Sequence, residues 1–168
     1  MANEAAVREL MDSFRRIVHA LRSSHRAAAY LNATGAQLFI LTTLRESDRP
    51  LSITELAART RTDQSTVSKV LVRLVQRGLV ARRRSSDDQR RVELSLTPRG
   101  RALQKRVPAI PAQKKLLESL QKLGTRDAAV FVRIMKEIVR AMGVADEPAK
   151  MMFDDEERVK SRPRRRSE

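Results

Sequence analysis

Apolar positions fall into a helical rhythm near both ends of the chain and into a mixed pattern between them. Val7, Leu10, Met11, Phe14, Ile17, Val18 and Leu21 form one oily stripe, which predicts a helix from Asn3 to about Ser24 with Asn3 as its cap. Val130, Phe131, Ile134, Met135, Ile138, Val139 and Met142 repeat the rhythm over Ala128 to Met142, where Gly143 is expected to stop it. Neither stripe has a cover adjacent in sequence, so each is expected to pack on a helix of its own chain or of a partner.

The middle of the chain carries shorter elements. Leu38, Phe39, Leu41 and Leu44 predict a helix over Ala36 to Arg45, broken by Asp48, Arg49 and Pro50. Ser52, with Glu55 three residues later, has capping-box spacing and opens a short helix that buries Leu56 and Ala57. A further helix begins around Asp63, turns Val67, Val70, Leu71, Leu74 and Val75 inward and ends at Gly78. Leu79 to Arg83 and Val92 to Leu96 predict two short strands, the second alternating Val92, Leu94 and Leu96 with polar neighbours. Thr97 then caps a new helix with Pro98 in its first position, and Pro108 and Pro111 should bend or break it before helix resumes over Ala112 to Leu120. The expected class is mainly α with a small β-hairpin wing.

Composition sharpens this picture. The 168 residues include 35 Lys and Arg against 20 Asp and Glu, a formal charge of +15 that favours a polyanionic partner, nucleic acid before anionic membrane. Residues 144–168 hold seven acidic and seven basic side chains, with an acidic run at Asp154 to Glu157 and a basic one at Arg162 to Arg166, and read as a disordered tail. The excess positive charge therefore belongs to residues 1–143. The absence of cysteine removes disulfides, thiolate zinc sites, cysteine nucleophiles and thiol-based sensing. No apolar run reaches the roughly 18 residues of a spanning helix, and the amino terminus lacks the pattern of a signal peptide, so a cytoplasmic protein without a membrane partner is expected. Five scattered glycines and two histidines provide no phosphate loop, dinucleotide fingerprint or metal cluster, and no enzyme, cofactor or metal is expected.

The chemistry lies between Leu51 and Gly100. A helix that reads base edges in the major groove needs small polar residues near its amino end, where bulky or apolar ones would hold it off or waste the edges. Gln64, Ser65, Thr66, Ser68 and Lys69 meet that need: Gln64 can pair bidentately with adenine, Lys69 can donate to guanine acceptors, and the hydroxyls can serve base or phosphate. Arg73 is assigned to phosphate. The loop between the strands holds Arg84, Asp88, Arg90 and Arg91; Arg90 is the expected minor-groove residue, with Asp88 two residues earlier placed to brace it or its neighbour by a charge-assisted hydrogen bond. Individually, each polar face is also what a solvated helix or hairpin displays. Their succession in one unit favours double-stranded DNA as partner, with a nonspecific architectural DNA-binding protein as the alternative.

This stretch resembles the winged helix-turn-helix of the MarR family of bacterial transcriptional regulators. The resemblance rests on the helix ending in R-G-L-V, on Asp88 and Arg90 as the wing's D-x-R, and on the L-T-P-x-G exit at Leu96 to Gly100. It implies a winged helix-turn-helix over 35–105, flanked by dimerisation helices at 1–34 and 106–143 and followed by the 144–168 tail. It also implies a homodimeric repressor whose two recognition helices enter successive major grooves of a pseudo-palindromic operator, with half-sites about 34 Å apart. Val7, Leu10, Phe14, Ile17, Leu21, Val130, Ile134 and Ile138 would then form the dimer interface. Family members often release DNA on binding a small aromatic or phenolic ligand, and His19, Arg22, His25 and Tyr30 are the nearest candidates for such an effector pocket. The long charged tail departs from the family pattern.

Overall fold

A computed structural model describes residues 3–85, 90–107, 111–146 and 151. Asp88, Pro108 and the tail runs at 154–157 and 162–166 lie outside the described residues. Helix α1 spans Glu4–Tyr30, six residues beyond the expected end. Nothing in Arg22 to Ala29 breaks a helix, and the chain turns only at Asn32, whose φ of 51° is the left-handed conformation asparagine tolerates. Asn3 caps the start through its side-chain oxygen, which accepts the Ala5 N–H at 3.0 Å.

Helix α2, Gly35–Arg45, is the centre of the core: all its residues from Ala36 to Leu44 are buried. A capping box that the apolar pattern did not reveal begins it, with Thr34 Oγ1 accepting the Gln37 N–H at 3.1 Å and Gln37 Oε1 accepting the Thr34 N–H at 3.3 Å. Helix α3, Ile53–Thr60, has the predicted Ser52–Glu55 box, and α4, Gln64–Gln76, starts from Asp63. Strands β1, Val80–Arg84, and β2, Val92–Leu96, pair antiparallel with Val80 opposite Leu96 and Arg84 opposite Val92. Leu51 joins them as a bridge, its N–H donating to Leu94 O at 3.1 Å and its carbonyl accepting the Leu94 N–H at 2.8 Å.

Ile40, Leu41, Leu51, Leu56, Leu74, Val67 and Val70 are fully buried where these elements meet. Each large apolar side chain so removed from water contributes roughly 1.5–3 kcal/mol before entropy is counted. One inward assignment fails: Val75 is 36% exposed, because α4 rests on the core through Val67, Val70, Leu71 and Leu74, and Val75 lies at the border of that face beside the exposed Val72.

The L-T-P-x-G exit acquires a physical meaning here. Thr97 begins α5, Pro98–Lys105, its Oγ1 accepting the Gly100 N–H at 3.0 Å while donating to Gly78 O at 2.7 Å. Thr97 N–H donates to Leu79 O at 3.1 Å, so one residue ties the helix start to the turn that ends α4. Gly78 makes that turn with φ at +66°. Gly100 is buried against it, and a Cβ there would stand 2.0 Å from Leu79 O.

Helices α6, Ala112–Gln121, and α7, Thr125–Ala141, complete the described chain. Lys114 of α6 forms ion pairs with Glu46 at the end of α2 and with Glu118. Helix α7 starts three residues before the expected Ala128 and buries none of its side chains. Met151 belongs to the core cluster at 5% exposure, so the reading of 144–168 as a detached tail does not extend to it.

Candidate nucleic-acid interface

The first half of α4 presents its polar side chains outward because the apolar ones at 67, 70, 71 and 74 fix the opposite face to the core. Gln64, Ser65 and Lys69 are exposed; Thr66, Ser68 and Arg73 are half-buried. The hydroxyls, however, already have partners. Ser65 Oγ donates to Asp63 Oδ1 at 2.6 Å, Thr66 Oγ1 donates to Asp63 Oδ2 at 2.7 Å, and Ser68 Oγ donates to Gln64 O at 2.7 Å. With their protons directed inward, these oxygens offer acceptor lone pairs to an incoming molecule, and the outward donors are Gln64 and Lys69. The Asp63 carboxylate also accepts the Thr66 N–H at 2.8 Å. These bonds, led by that of Ser65 and followed by the Thr66 N–H and hydroxyl, hold the Asp63 carboxyl well below the usual carboxylate range.

The hairpin stands beside this face. Arg82 and Arg84 share the side of the sheet that carries Leu94 and Val92, whereas Arg83 lies opposite Glu93 on the other side. Arg82 reaches over a cleft of about 270 Å³ lined by Ser68, Leu71, Val72 and Val75 of α4 and by Val92 and Leu94 of the hairpin. Helix and hairpin thus form one continuous surface. Arg90 and Arg91, at the start of the returning strand, are exposed, and Val72, 53% exposed one turn beyond Ser68 and Lys69, adds an apolar group that the sequence pattern assigned no role.

Glu55 connects the two halves. Besides closing its capping box through the Ser52 N–H at 2.7 Å, its carboxylate accepts Arg49 Nη2 at 2.5 Å and Arg91 Nη2 at 2.9 and 3.1 Å. The Arg49 hydrogen bond first, then the Ser52 N–H and hydroxyl, then Arg91, place the Glu55 carboxyl far below its ordinary range. The Arg49 guanidinium is raised in turn by the same hydrogen bond. Capping spacing accounts for the position of Glu55, but the two arginines reach it across 6 and 36 residues, which no local pattern reveals.

The remaining predicted residues sit on the outer helices. Val7, Leu10, Ile17, Val130, Ile134 and Ile138 are 37–57% exposed, whereas Leu21 is buried and Phe14 half-buried within the chain. His19, Arg22 and Tyr30 are exposed and His25 is half-buried along α1, and none of them lines the cleft under Arg82. Among the described residues no group of three or more His, Asp or Glu is placed to hold a metal, and no helix is long and apolar enough to cross a membrane.

A polar-edged second helix, a preceding short helix and an arginine-bearing hairpin define a winged helix-turn-helix. Residues 34–92, which hold the helix-turn-helix and most of the wing, match the model of the MarR family. The chain is 35% identical over 81 residues to the organic hydroperoxide resistance transcriptional regulator of Bacillus subtilis, covering 48% of this chain and 54% of that protein. It is 39% identical over 67 residues to the HTH-type transcriptional repressor MdtR of the same organism, covering 40% and 43%. The chain thus spans about half the length of these relatives. Over its whole architecture it is similar to wild-type MarR from E. coli in the apo form, with a TM-score of 0.52 at 21% identity, covering 83% of this chain and 98% of that one.

Proposed function

We propose that this chain is a sequence-specific DNA-binding transcriptional regulator, a repressor, acting as a homodimer on a pseudo-palindromic operator. The observation that carries the reading is the continuous surface of the α4 polar edge and the wing arginines, whose donors and acceptors suit base edges and whose guanidiniums suit phosphate and minor groove. Gln64 and Lys69 donate to bases, Ser65, Thr66 and Ser68 accept from them, Arg73 and Arg84 contact phosphate, and Arg90 enters the minor groove. The repressor relatives support the direction of control.

Dimerisation follows from the apolar faces. Val7, Leu10, Met11, Ile17 and Val18 of α1 and Val130, Phe131, Val132, Ile134 and Ile138 of α7 are large apolar side chains left exposed on two helices, and a second copy is the occupant that also places two recognition helices on one duplex. Release by a small aromatic or phenolic effector at His19, Arg22, His25 and Tyr30 is the finer part of this reading, and these residues lie along α1 away from the cleft under Arg82. Selection of the protein against random duplexes at near-physiological salt tests the reading: an enriched inverted repeat with half-sites about one helical turn apart is expected. A pool that stays random despite tight, salt-sensitive binding would instead support nonspecific coating of DNA.

A further inference from the structure

Two guanidiniums converge on the single carboxylate of Glu55: Arg91 comes from the wing assigned to DNA and Arg49 from the turn that precedes α3. Arg91 donates through one nitrogen to both Glu55 oxygens, at 2.9 and 3.1 Å, and Arg49 donates to Oε1 at 2.5 Å. Arg91 is 43% and Arg49 57% exposed, so either could turn to a phosphate, yet in the free protein both are charge-paired. We propose that Glu55 is a specificity-determining residue that acts through these arginines: it holds Arg91 and Arg49 on the protein and so withdraws two cations from sequence-independent phosphate contact. The inference rests on the DNA-binding reading above.

The physical basis is a difference of affinities. Each cation released to phosphate strengthens binding to every duplex alike, whereas the α4 contacts strengthen binding only to the correct one. A carboxylate that competes for the cations therefore lowers nonspecific affinity more than it lowers discrimination. Because the pairs are partly exposed they are of modest strength, so removing the charge shifts the balance without collapsing the site. Glu55 also fixes where the wing strand starts relative to α3, since Arg91 immediately precedes β2.

The test uses the full chain and a nonspecific duplex titrated across salt, comparing wild type, Glu55→Gln, Arg91→Ala and the double variant. Glutamine keeps an oxygen for the Ser52 N–H and so preserves the helix cap while deleting the charge. Glu55→Gln is expected to steepen the slope of log affinity against log salt by about one to two units. Arg91→Ala alone is expected to leave the wild-type slope unchanged, and to remove about one unit of the steepening when combined with Glu55→Gln. An unchanged slope in Glu55→Gln, or a flattening by about one unit in Arg91→Ala alone, overturns the proposal. Should Glu55→Gln fail to fold, Glu55→Ala, which keeps the Glu55 backbone N–H on Ser52 Oγ at the helix start, takes its place with the same expected steepening. Loss of salt-sensitive binding in the wild type would overturn the DNA-binding reading as well, which separates that failure from this one.

Discussion

Replacing Gly100 by alanine tests whether the wing is locked to the helical body by close backbone approach. The added Cβ would stand 2.0 Å from Leu79 O. Carbon and carbonyl oxygen make ordinary contact near 3.3 Å, so α5 must retreat from the α4–β1 turn by about 1.3 Å. Overpacking of this kind costs roughly 1–3 kcal/mol. The same retreat stretches the bonds of Thr97 to Gly78 O and Leu79 O, now 2.7 and 3.1 Å, and losing one of them adds about 1 kcal/mol. The expected total of about 2–4 kcal/mol is a large part of a typical domain's stability and corresponds to a fall in melting temperature of roughly 5–15 °C for a chain of this length. Thermal denaturation followed by circular dichroism measures it. Gly124→Ser is the control, since Gly124 caps α7 with nothing within 4 Å of its would-be Cβ and a serine there should be neutral or stabilise by a few tenths of a kcal/mol. A Gly100→Ala melting point indistinguishable from the parent would show that α5 can leave Leu79 without cost, and the close-approach explanation would be wrong.

Arg90→Ala should weaken operator binding by about 1–3 kcal/mol with an unchanged melting curve, measured by fluorescence anisotropy on the selected site; equal affinity would remove the wing tip from recognition. Ile134→Glu on α7 should convert the protein to monomers in sedimentation equilibrium, because a charge would meet the apolar face of the second copy; an intact dimer would place the interface elsewhere. Asp63→Asn keeps a good helix cap but not the charge. The folded Asp63 carboxyl titrates below its unfolded value of about 3.9, so its contribution is present above that pH and is lost as the pH falls through the folded value. Wild type should therefore lose melting temperature more steeply than Asp63→Asn on acidification below about pH 4, and parallel acid limbs would contradict the assignment.

The parts of this molecule legible in its sequence are those fixed within one turn of chain. Ser52 with Glu55, Asp63 before α4, Thr97 with Pro98 and the alternation of β2 announce themselves because capping and pleating act over two to four residues. The two faces of α4 were legible for the same reason: its buried and polar residues are set by a single period. Meanings that arise from tertiary approach were hidden. Glu55 reads as a cap and is one, yet its second task depends on Arg91 arriving from across the hairpin. Ser65 and Thr66 read as free hydroxyls, but the carboxylate that caps the helix takes their protons and turns them into acceptors. Gly100 stands in the sequence only as the last residue of the L-T-P-x-G exit, until Leu79 O is found beneath it. Glu55 and Gly100 are set by a local rule and then used again by a neighbour distant along the chain, whereas the second use of Asp63 is made by the next turn of its own helix. A substitution that respects only the local rule, such as glutamine for Glu55 or asparagine for Asp63, is therefore the informative one, because it removes the second use and leaves the first.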